Sequence, residues 1–125
     1  MIMKILKNSF YFLNISLIIF YLFPGSILGC IFYNDCLYTP QLTEDFLVSS
    51  NHFYVFIIIS MLGLISFLRN LIKITYYLIF LSIVLELLHI IIPNRGFEIA
   101  DLLGNILGVL LSFILFRLFI FRRLK

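Results

Sequence analysis

The chain is short of charge. Fifteen of its 125 residues are Asp, Glu, Lys or Arg, or 12%, against about 25% in an ordinary soluble domain. Cysteine is scarce too, and two residues are too few for a disulfide-built scaffold. There is no internal repeat, no low-complexity tract and no linker long enough to separate domains. No run alternates apolar and polar residues over strand length, which argues against a sheet or a barrel. What is present is apolar surface: 63% of the residues are hydrophobic. A small soluble domain has too little interior to hide so much. Disorder is excluded as well, because disordered chains are polar. The class left is an integral membrane protein.

Four apolar stretches, at about 10–32, 52–68, 74–92 and 99–121, predict an all-α bundle of four transmembrane helices in one domain. A membrane helix needs roughly 20 apolar residues, so the second stretch only just suffices. Pro24-Gly25 interrupts the first stretch and can end its helix early, leaving 26–32 along the interface.

Charge placement predicts topology. Lys4 and Lys7 precede the first span, Arg69 and Lys73 separate the second from the third, and Arg117, Arg122, Arg123 and Lys125 close the chain. These eight bases fall on one side of an even-numbered bundle, and only Arg95 falls on the other. The six acids gather towards that second side. By the positive-inside rule both termini are cytoplasmic. The basic balance therefore needs no nucleic-acid partner.

Ionisable groups within a bilayer cost about 2.5–3.5 kcal/mol each on insertion scales, so by default they point to function. Glu86 and His89 share a face near the outer end of the third span. Arg95 lies in the short turn Pro93-Asn94-Arg95-Gly96. Asp101 and Asn105 are one turn apart at the start of the fourth span, and Gly104 and Gly108 form a small-xxx-small pair suited to close helix contact. His52 opens the second span. Antiparallel alternation alone brings all six ionisable and amide groups to one side.

These residues resemble a known pattern. Glu86-x-x-His89-x-x-x-Pro93-x-Arg95 followed by Asp101-x-x-x-Asn105-x-x-Gly108 is similar to the E-x-x-Q-x-x-x-P-x-R and D-x-x-x-N-x-x-G motifs of VanZ-like membrane proteins. His89 stands where that family has Gln. Its D-K-x-x-H-x-x-x-Y element is matched in part, by His52 and Phe56, with Val48 and Ser49 in place of Asp and Lys. The resemblance implies a bacterial cytoplasmic-membrane protein of four helices, with a family association with glycopeptide resistance and no settled reaction.

Several functions are open at this point. One is a site facing the outer leaflet that binds or modifies an envelope lipid or lipid-linked cell-wall precursor. Arg95, Asn105, His52 and His89 would hold the substrate, and Glu86 and Asp101 would serve as acid and base. Another is a polar clamp in which Glu86 or Asp101 pairs with Arg95 and only fixes helix packing. A third is a small proton or ion transporter. No cofactor is expected. No metal is expected either, because Glu86-x-x-His89 occurs once where di-iron bundles need two copies. Cys30 and Cys36 can form a short-range disulfide if their end of the bundle is in an oxidising compartment, but free thiols are expected. Ile27-Leu28-Gly29-Cys30 looks like a lipoprotein cleavage signal, but an uncleaved first helix is expected. Reporter fusions test the topology: those at Asn51 and Asn94 should read as external and one at Lys125 as cytoplasmic, and the reverse pattern would invert the assignment.

Overall fold

The computed structural model describes residues 1–123, apart from the side chains of Phe121 and Arg123; Lys125 of the basic tail lies outside the described residues. The described chain is all-helical: α1 (Ile2–Leu22), α2 (Ile27–Tyr33), α3 (Ser50–Ser66), α4 (Leu71–Leu88) and α5 (Ile99–Arg123). α1, α4 and α5 are long and apolar enough to cross a membrane. α3, with 17 residues, reaches about 26 Å at 1.5 Å per residue, just short of a ~30 Å hydrocarbon core. Large apolar side chains face outwards on every long helix, among them Phe12, Ile58, Phe80 and Ile114. Such a surface suits a multi-pass membrane protein and not a water-soluble one.

The first apolar stretch is broken as its proline foretells. The residue before a proline is pushed out of the helical region, and Phe23 is extended at φ −69°, ψ 132°. Gly25 then turns at φ 103°, where a Cβ would strike the Cys36 carbonyl. Ser26 caps α2 by accepting the Gly29 N–H at 3.0 Å. Asn34, left-handed at φ 50°, closes α2 and sends the chain back on itself. That return brings Cys36 to Cys30, and the two form a disulfide. The expectation of free thiols is therefore corrected.

The expected end of the third span also moves. α4 stops at Leu88, four residues before the sequence-based limit of 92. Residues 89–91 continue with tighter i to i−3 bonds, and Pro93 bars a helical Ile92. Asn94 takes a left-handed turn at φ 59°, a conformation Asn tolerates. Glu86 thus sits in the last turn of α4, not two turns within it.

α1 and α4 run one way, and α3 and α5 run the other. α3 is central and packs against the other three long helices. Its parallel contact with α5 is the closest, because α5 offers a stripe of small residues. A Cβ on Gly104 would lie 2.8 Å from the Ser49 carbonyl, and one on Gly108 would lie 2.7 Å from the Phe53 carbonyl. Ser112 extends the stripe, donating to Gly108 O at 2.8 Å and across to Ile57 O at 3.3 Å. Phe10, Leu17, Phe56, Ile59, Leu78, Leu85 and Val109 form the apolar core. At the basic end Lys7 lies over the Phe67 ring. The opposite end gathers the C-termini of α1 and α4, the N-termini of α3 and α5, and the disulfide loop. Gly108→Val should lower stability by about 1–3 kcal/mol through overpacking. Gly96→Ala, where a Cβ meets nothing within 4 Å, should be neutral. Circular-dichroism melts in detergent read both, since the chain has no tryptophan to report by fluorescence.

Candidate functional site

The broken end of α1 leaves backbone carbonyls without helical partners. Two side chains from the α4–α5 corner reach them. Arg95 donates through Nε to Phe23 O at 3.3 Å and through Nη2 to Phe20 O at 3.2 Å. His89 Nε2 lies 3.0 Å from Tyr21 O, and since a carbonyl only accepts, Nε2 carries the hydrogen. A cation at a helix C-terminus also complements the helix dipole. The pairing of Arg95 with Glu86 or Asp101 that the clamp alternative invoked is not formed: among the described residues no carboxylate reaches ion-pair distance of Arg95. The carbonyls take the guanidinium because they have no other donor. Burial draws Arg95 below the usual arginine pKa, while the charges of Asp101 and Glu86 oppose the shift. Arginine still stays protonated.

Tyr21 is the hub that joins α1 to the other helices. It is buried, its ring stacks on His89 with centroids 5.7 Å apart, and its edge meets His52 at 5.1 Å. Its hydroxyl donates to Asn105 Oδ1 at 2.9 Å. His52 Nδ1 lies 3.0 Å from that hydroxyl and 3.1 Å from Asn105 Oδ1. An amide oxygen only accepts, so His52 is protonated at Nδ1. Its Nε2 points to Asp101 Oδ2 at 3.4 Å. Glu86 is fully buried beside this group. Its Oε1 accepts the Glu98 N–H at 3.0 Å and lies 3.4 Å from His89 Nδ1, while Oε2 has no hydrogen-bond partner.

A cavity of about 860 Å³ opens beside the hub. One part is polar, lined by Tyr21, His52, His89, Arg95, Glu98 and Asp101. The other runs down a groove between α1 and α3, lined by Leu13, Leu17, Phe20, Val55, Ile58 and Ile59. The apolar part spans about 10 Å along α1 at 1.5 Å per residue. Two of the five Arg95 donors are spent on α1, which leaves three for a ligand.

Of the six residues selected from sequence, the structure brings His52, His89, Arg95 and Asp101 to the cavity wall. Glu86 and Asn105 lie behind it, where they orient His89 and His52. Tyr21 escaped selection because tyrosines also serve as ordinary interface anchors. A signal was available: Asn14, Leu17 and Tyr21 follow i, i+3, i+7 along one buried face of α1. Asn14 makes its own tie to α4, accepting from the Tyr77 hydroxyl at 2.7 Å.

Comparison with protein-family models, with curated proteins and with solved structures finds no match to this chain. The site is therefore read from its own geometry.

Removing the donors to α1 should expose their role. His89→Leu strands the buried Tyr21 carbonyl and should cost about 1–3 kcal/mol in detergent melts, and Arg95→Ala, which frees the less buried Phe20 and Phe23 carbonyls, should cost less. His89→Gln keeps an N–H for Tyr21 O and should lose less than His89→Leu. Equal losses would mean that ring stacking, not the hydrogen bond, holds His89.

Proposed function

We propose that the chain is a VanZ-like bacterial protein of the cytoplasmic membrane that binds a phosphate-bearing envelope lipid, or a lipid-linked cell-wall precursor, from the outer leaflet. All four long helices span, with both termini inside. The cavity carries this reading: a polar pocket with spare arginine donors continues into an apolar groove between two membrane helices. A lipid has the same division, a charged head on an apolar tail. Arg95 suits the phosphate, because a guanidinium binds oxyanions through a planar fork. The α1–α3 groove suits the first part of the chain. The orientation draws support from the bases at one end and from the Cys30–Cys36 disulfide at the other, since disulfides persist in oxidising compartments.

A second reading has its own support. Arg95, His89 and Asn105 all make bonds within the protein, as a cluster serving only to fix helix packing would. Groove occupancy separates the two. Val55→Trp puts a unique fluorophore in the groove, and Phe80→Trp puts one on an outward face of α4. Brominated phosphatidylglycerol and polyprenyl phosphate are titrated into each detergent-solubilised variant. Quenching that saturates near stoichiometric lipid for Val55→Trp but not Phe80→Trp supports the lipid site. Equal, unsaturable quenching of both leaves the packing reading.

A further inference from the structure

The polar end of the bundle is short of a cation. Glu86 and Asp101 approach one another from α4 and α5, and no Lys or Arg lies within ion-pair distance of either among the described residues. The nearby guanidinium is held by the carbonyls of α1, out of ion-pair distance of both. His52 completes the group. One ligand atom from each of His52, Glu86 and Asp101 lies within 4.8 Å of the others. Glu86 is 0% exposed and its Oε2 has no partner. A buried carboxylate oxygen without a donor costs free energy unless a cation meets it.

We propose that His52, Glu86 and Asp101 form a binding site for a divalent transition-metal ion, zinc or manganese, at the inner wall of the cavity. The donor set is one imidazole and two carboxylates, which suits these borderline-to-hard ions rather than thiophilic ones. The spacing is appropriate. Zinc ligands at ~2.0–2.1 Å in a tetrahedron stand about 3.3 Å apart, and His52 Nε2 is 3.4 Å from Asp101 Oδ2. Small side-chain rotations close the wider gaps.

Two of the three ligands are also held from behind, as metal ligands usually are. His52 Nδ1–H donates to Asn105 Oδ1, which leaves the Nε2 lone pair facing Asp101. Glu86 Oε1 is held by the Glu98 N–H and faces His89, which leaves Oε2 free to ligate. His52 and Asp101 line the cavity and Glu86 lies behind them, so the open coordination positions face the cavity. Water or an anionic oxygen can enter there. The site runs against the sequence-based expectation of no metal, which rested on the single Glu86-x-x-His89 copy. Here His89 is not a ligand, and helix packing supplies the set.

The test needs no lipid, so its result is separate from that of the lipid reading. The full-length protein is purified in detergent, stripped with chelator and titrated with Zn²⁺ by calorimetry. Bound metal is counted after gel filtration, and Co²⁺ is used in parallel for its visible d–d absorption. Wild type should retain zinc stoichiometrically. His52→Gln and Asp101→Asn should each abolish stoichiometric retention and the Co²⁺ band while keeping the helical circular-dichroism signal. Asn105→Ala, which removes the support of His52 together with the acceptor of the Tyr21 hydroxyl but no ligand, should weaken affinity about 10–100-fold. Wild type that retains no zinc, or His52→Gln and Asp101→Asn variants that retain as much as wild type, would overturn the site; the second result would mark the binding as adventitious.

Discussion

α1 stops before Pro24 with its last carbonyls open, and the polar end of this bundle is organised around satisfying them. Pro24 stops α1, and the open carbonyls of Phe20, Tyr21 and Phe23 draw Arg95 and His89 onto them. Both donors come from the corner between α4 and α5, so that corner is held against α1. With the corner in place, the Glu98 N–H reaches Glu86 and Asp101 comes within reach of His52. Cavity, hub and carboxylate cluster all follow from satisfying one helix end.

Two kinds of packing divide the work. Towards the basic end, aromatic and aliphatic side chains interlock, as in the Phe10–Phe67 contact and the close seat of Gly63 beside Phe10 and Ile74. Towards the polar end, hydrogen bonds replace apolar contacts, and some groups stay unsatisfied. Glu86 Oε2 and Asn105 Nδ2 are buried without partners. Orphaned groups of this kind cost stability. Asn14 Nδ2 and Ser60 Oγ, in the middle of the bundle, are likewise without partners, so such groups are not confined to the cavity. The proposed metal site and the proposed lipid site occupy adjoining walls of that cavity.

The fold was legible where long-range contact was unnecessary. The hydropathy of α4 and α5 marks them as membrane helices, and the weakness of the second stretch reappears in the 17-residue α3. Pro24 announced the break in α1, and the small residues at 104 and 108 announced a close helix contact without naming α3 as the partner. Legibility stopped where a side chain had a choice. Arg95 could have met either carboxylate, and it meets carbonyls instead. Tyr21 looked like an interface anchor and is the buried hub. Cys30 and Cys36 read as free thiols by sequence, and only the turn at Asn34 brings them together.

The sequence by itself determined the solvent, the apolar helices and the side of the bundle on which its ionisable groups gather. Those follow from local hydropathy and chain alternation, which act residue by residue. Only the tertiary structure decided which of the gathered groups touch. Partner choice among buried polar groups is a competition for scarce donors in a medium without water. Its outcome depends on distances between helices that no one-dimensional pattern encodes.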